Sequence, residues 1–143
     1  MKPKEFQDLA AGIVEKNNPF PSELRTAISR SYYAVYNLGI KLLKDMGFTI
    51  SKKLDVHVFM RRHFKYSGDI ELIEAAEKIK HLKNKRQHAD YELDRTDVEK
   101  QQNAKAHVYS ADRVIKTLEK QCSGKNRDQI IKNIKAWREA TKQ

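Results

Sequence analysis

The chain is 143 residues long, the usual size of one domain, with 39% hydrophobic residues, 34% charged residues and a formal net charge of +10. No apolar run approaches the ~20 residues that span a bilayer, which excludes an integral membrane helix, while the apolar content is enough to exclude global disorder. The single cysteine, Cys122, excludes an intramolecular disulfide and a cysteine-based zinc cage. It fits a reducing compartment, so a cytoplasmic location is expected. The opening segment, interrupted by Glu5, Asp8 and Glu15, does not read as a secretory signal.

Only five glycines and three prolines punctuate the chain, and the apolar spacing between them is helical. A first helix is predicted over 4–16, with Phe6, Leu9, Ala10, Ile13 and Val14 on one face. The Asn17–Pro21 segment breaks the chain, and a second helix is predicted from there to about residue 46, with Ser22 as its N-cap. A third is expected over 55–66, a fourth over 69–90 and a fifth from Thr96-Asp97 to about residue 120. A last helix over 127–140 is amphipathic through Ile130, Ile131, Ile134 and Trp137. The predicted fold is therefore all-α, an antiparallel bundle of five to six helices. Residues 1–122 form the bundle, and 123–143 form a basic C-terminal helix packed on it or extending it. From Arg113 onward there are nine Lys/Arg against three Asp/Glu, so much of the positive charge is C-terminal. Such a balance suits an anionic partner.

Two helices carry anomalies. The second has one apolar stripe through Leu24, Ala27, Ile28, Ser31, Val35, Leu38 and Leu42, and another through Tyr33, Tyr36 and Ile40. A helix apolar on two sides is buried on two sides, which predicts a homodimer, the alternative being a central place in its own bundle. The fourth has a stripe through Leu72, Ala75, Ala76, Ile79 and Leu82 that continues onto Arg86 and then Ala89 and Asp90. Burying a guanidinium there is expensive unless it is paired. An i, i+4 ion pair with Asp90 is the structural reading, and an anion clamp ringed by Lys83 and Lys85 is the functional one.

The run from Arg25 through Ser29-Arg30-Ser31-Tyr32-Tyr33-Ala34 to Tyr36, followed by the segment from Lys41 to Gly47, resembles the tyrosine-rich helix of small HEPN-domain proteins. The run from Leu82 through Arg86 to Ala89-Asp90-Tyr91 resembles a second segment of the same proteins, in the same order and at a fitting separation. The resemblance covers roughly residues 6–120. It implies a helical bundle, commonly dimeric, with a cleft lined by the end of the fourth helix. Many members are metal-independent RNases, often toxins paired with a nucleotidyltransferase antitoxin, in which an Arg holds the scissile phosphate and a His four to six residues later does acid–base work.

This chain departs from that pattern, because the positions at that distance from Arg86 are Tyr91, Glu92 and Leu93. His88 falls too early and on another face. Tyrosine, with an ordinary pKa near 10, is a poor base at neutral pH. The resemblance therefore implies a nucleotide- or RNA-binding component of a toxin–antitoxin or stress-defence pair, working beside a nucleotidyltransferase partner with weak or absent RNase activity. The expected ligand-binding set is Arg86, Asp90, Tyr91 and Lys83 with Arg30 and Tyr33, and Arg86 and Tyr91 are the catalytic candidates. The alternatives are a metal-independent RNase toxin and a structural interaction module. No pair of histidines has helical metal spacing, and no phosphate loop, dinucleotide motif or nucleophile elbow is present. No metal, cofactor or membrane is expected.

Overall fold

A computed structural model describes residues 1–142. Its helices are α1 (Pro3–Val14), α2 (Pro21–Asp45), α3 (Val56–Lys65), α4 (Ile70–Tyr91), α5 (Gln101–Cys122) and α6 (Arg127–Ala140), with one 3-10 turn at Asp97–Glu99. No strand occurs among the described residues. The all-α bundle expected from the sequence is the fold.

Local chemistry sets the boundaries. Pro21 and Pro3 occupy first turns, where their missing N–H groups cost nothing. Asp55 caps α3 by accepting from the amides of His57 and Val58, and Asp69 caps α4 by accepting from Leu72. Two expectations need correction. Ser22 does not cap α2: the cap position is Phe20, and Glu23 satisfies it by accepting the Phe20 amide at 3.0 Å. The fifth helix does not begin at Thr96-Asp97 either, because that dipeptide opens the 3-10 turn and Lys100, extended at ψ 124°, separates it from α5.

Side-chain contacts give the topology. Arg25, near the start of α2, reaches carbonyls at the end of α4, so those helices are antiparallel. Gln7 of α1 reaches Val108 of α5, and Gln101 at the start of α5 reaches Val14, so that pair is antiparallel too. Helices α1, α2, α4 and α5 thus form an up-down-up-down bundle, with α3 laid against α2 and α4, and α6 against the far end. Helix α2 packs against α1, α3, α4 and α5. Both of its apolar faces are therefore covered within one chain, the second only partly, since Tyr33, Tyr36 and Ile40 stay half-buried. A central place in its own bundle thus accounts for the first stripe and for part of the second.

One glycine decides where α3 lies. A Cβ at Gly39 would stand 2.8 Å from Met60 Sδ and 3.3 Å from the Phe64 ring. Only a bare Cα lets α3 approach α2 this closely. That approach carries the first turn of α3, with His57, over the tyrosines of α2.

Candidate functional site

Two arginines are buried beside α2 and α4, and they are bonded in opposite ways. Arg25 is 8% exposed. Its Nε donates to Glu99 at 2.8 Å, and its two Nη groups donate to the carbonyls of His88, Ala89, Glu92, Leu93 and Arg95. A helix leaves its last carbonyls without partners, and Arg25 satisfies those of α4 and the turn beyond it with every donor of its fork. It is a structural residue.

Arg86 is 5% exposed, and its donors are idle. Its Nε is buried without a hydrogen-bond partner. Its nearest carboxylate, Asp90 Oδ2, is 3.8 Å from Nη1, beyond hydrogen-bond length. Asp90 is itself partly engaged, accepting from Ser29 Oγ at 3.1 Å. Aromatic faces surround the guanidinium instead: Tyr33 at 5.4 Å, Tyr32 at 5.5 Å and Tyr91 at 5.9 Å from ring centroid to Cζ. Cation–π contacts of this kind offset part of the desolvation cost but use none of the N–H groups in the guanidinium plane.

The surrounding residues assemble from three helices. Arg30, from α2, stacks between Phe6 at 5.0 Å and Tyr33 at 5.2 Å. Lys83 lies one turn before Arg86 and reaches Asp55 Oδ2 at 3.6 Å, tying α4 to the first turn of α3. Tyr91 is 74% exposed, so it forms a rim and not a wall. A groove of 380 Å³ lined by Ser22, Arg25, Thr26, Ser29, Arg30, Ala89 and Asp90 opens beside this cluster. Arg86, Asp90, Tyr91, Arg30 and Tyr33 thus lie together, with Lys83 at the edge. Lys85 does not join them. It points to another side of α4, 3.3 Å from Asp97, because adjacent helical residues diverge by about 100°. His88 also faces away, toward Glu92 and Arg95.

The residue that sequence spacing missed is His57. Its Nδ1 lies 2.6 Å from the Tyr32 hydroxyl, and its ring stacks on Tyr36 with centroids 4.3 Å apart. Burial, then the positive charges of Lys83 and Arg86, holds its pKa below the ordinary histidine value. Burial pushes the Tyr32 hydroxyl the other way, well above the usual tyrosine range. Both groups are therefore neutral at pH 7. The Tyr32 bond occupies Nδ1, which leaves Nε2 as the nitrogen that can exchange a proton with a ligand. The single signal in the sequence was Asp55 two residues earlier, a helix cap that fixes where α3 begins.

Chemically, the cluster offers a rigid planar fork with unused donors, a neutral imidazole, a carboxylate and several aromatic faces. Its formal charge is positive. Among the described residues no group of His, Cys, Asp and Glu could hold a metal ion, and no helix is long and apolar enough to cross a membrane. Comparison with protein-family models, with curated proteins and with solved structures gives no match to this chain.

Proposed function

We propose that this protein is a HEPN-like binding component that holds a phosphate-bearing nucleotide or RNA on Arg86. The observation that carries the reading is the contrast between the two buried arginines. Arg25 spends every donor on the fold, whereas Arg86 is equally buried and spends none within hydrogen-bond distance. A buried cation whose carboxylate neighbour stands at 3.8 Å, without a hydrogen bond between them, is poorly compensated in the free protein. An oxyanion supplies both the charge and the paired acceptors that a guanidinium fork fits. The tyrosine faces beside it suit a base, and Asp90, an acceptor one helical turn away, suits a ribose hydroxyl. The toxin–antitoxin or stress-defence setting, the nucleotidyltransferase partner and the homodimer belong to this proposal through the sequence resemblance alone, and the cytoplasmic location rests on the lone cysteine.

Replacing Arg86 by Ala is expected to weaken binding of a nucleotide or short RNA by about 1.5–3 kcal/mol, the scale of hydrogen bonds to charged groups, with the fold retained. Calorimetric titration of both proteins measures it. Unchanged affinity would overturn the reading.

His57 favours a second reading, a metal-independent RNase. A neutral imidazole beside an arginine clamp is an acid–base pair of the kind phosphodiester cleavage needs, and here the imidazole comes from α3 and not from the end of α4. Incubation with mixed RNA in EDTA separates the readings. The binding role predicts intact RNA, whereas cleavage that His57→Gln and Arg86→Ala both abolish would establish the RNase.

A further inference from the structure

Beyond the Arg86 cluster, the largest cavity among those described is an 810 Å³ groove between α3 and α6, lined by Leu54, Val58, Phe59, Arg62, Lys65, Tyr66 and Trp137. Its chemistry is aromatic and cationic together. The Tyr66 and Trp137 rings stack nearly parallel, 5.0 Å apart at 12°, and Tyr66 is 43% exposed. The stack rests on a built floor: Trp137 meets the edge of fully buried His63 at 5.0 Å, and His63 packs on Phe59 at 4.5 Å. Arg62 and Lys65 are exposed on the wall, and neither has a carboxylate within 4.0 Å among the described residues. The groove's one acid, Asp55, is already committed to the α3 amides and to Lys83.

Cations without carboxylate partners flanking a stacked aromatic pair are the elements of a single-strand nucleic-acid platform, in which rings take bases and cations take phosphates. The Lys65 ammonium lies 5.4 Å over the Tyr66 ring, a place that a base displaces it from as it turns to a phosphate. Purely apolar packing against a protein would leave Arg62 and Lys65 without counter-charges. A duplex would keep its bases stacked on one another and away from the rings. The groove also shares α3 with the Arg86 cluster. His57 projects from the first turn of that helix toward Arg86, while Phe59, Arg62 and Lys65 line the groove. Ten residues of helix span about 15 Å, so the two features are neighbours on one surface.

We infer that the α3–α6 groove is a second subsite for single-stranded RNA, which extends the ligand from a phosphate at Arg86 to an oligonucleotide crossing α3. The inference rests on the Arg86 reading for its class of ligand. It also gives the basic C-terminal helix a role in contacting that ligand.

Trp137 is the single tryptophan of the chain, so its fluorescence reports on the groove directly. The full-length protein is titrated with a labelled oligouridylate of about ten residues, within the range of single-strand site sizes, and label anisotropy and tryptophan emission are followed together. The expected result is saturable quenching with the same midpoint as the anisotropy. Uridine monophosphate should leave the emission unchanged. Tyr66→Ala should weaken oligonucleotide binding by about tenfold, the size of one base–aromatic stack. Arg62→Ala and Lys65→Ala, both at exposed positions that leave the floor intact, should weaken it and lower its salt dependence. Three results would overturn the inference. RNA that binds through Arg86 with constant Trp137 emission and no response to the α3 substitutions would leave the Arg86 reading standing alone. Emission that changes with protein concentration in step with dimer formation, and not with RNA, would assign the groove to a second copy. No RNA binding by either signal would overturn the subsite and the RNA arm of the Arg86 reading, whose nucleotide arm the calorimetric titration decides. Binding that depends on the groove but not on Arg86 would uphold the subsite and overturn the Arg86 reading.

Discussion

At the scale of the residue, the two buried arginines make opposite predictions for stability. Arg25→Ala strands Glu99 and five carbonyls at the end of α4 and in the turn beyond it, and removing one partner of a buried charged network costs about 3–5 kcal/mol. Lysine cannot rescue it, because a point charge does not reproduce a fork that serves six acceptors. Arg86→Ala removes a buried cation that lacks a hydrogen bond, so the melting temperature should stay within a few degrees of wild type or rise. Thermal denaturation of the two variants side by side checks this. A large loss of stability for Arg86→Ala, with Arg25→Ala unaffected, would reverse the assignment of roles. The sequence made the burial of Arg86 legible, since an arginine on an apolar stripe is visible in the periodicity. It gave no sign that Arg25 is buried, because Arg25 lies beside the stripe of α2, and its partners lie 63 to 74 residues away.

At the scale of the element, the helices were legible because each has a chemical start and a regular apolar period. The predicted limits of the last helix, 127–140, coincide with α6. The errors came where capping was read from residue type alone. Ser22 looks like a cap, but a proline at the first helical position moves the cap back to Phe20. The placement of α3 was not legible, because it depends on the absence of a side chain at Gly39 and not on anything within α3. His57 was missed for that reason, and Tyr32, fully buried between the two stripes of α2, was missed because a central helix has no outward face there.

The docking of α6 depends on the turn before α4. Gly68 adopts φ +73°, and a Cβ there would collide with Asn133 of α6, whose Nδ2 donates to the Ser67 carbonyl at 2.9 Å. Gly68→Ala pays both for the left-handed backbone and for the displaced contact. It should cost about 1–3 kcal/mol and loosen α6, which thermal denaturation and amide exchange at residues 130–138 would register. Unchanged exchange there would show that Asn133 does not fasten the helix.

At the scale of the whole molecule, two electrostatic features set the response to solution conditions. Burial holds the His63 and His107 pKa values down at about 4, and both rings are neutral in the fold. Unfolded histidine titrates near 6.5, so between those values the unfolded chain binds more protons and stability rises with pH. The contribution is complete above about pH 6.5 and is lost as pH falls toward 4, by roughly 3 kcal/mol per histidine. Melting curves between pH 7 and 4.5 should show this fall, and His107→Gln, which retains a donor for the Ile28 carbonyl, should flatten it. The second feature is the net charge of +10. It draws polyanions to the whole surface, so any specific site must be told apart from that background by its geometry and by its salt dependence.

That distinction is sharpest in one calorimetric titration of a short single-stranded RNA into wild-type protein and into Arg86→Ala, at physiological salt, with the melting temperature of each recorded. The substitution removes one charge of a net +10, too little to abolish nonspecific attraction. The predicted result is a loss of about 1.5–3 kcal/mol in binding with the melting temperature retained. Equal affinities would contradict the assignment of Arg86 as a phosphate clamp and would leave it the structural partner of Asp90.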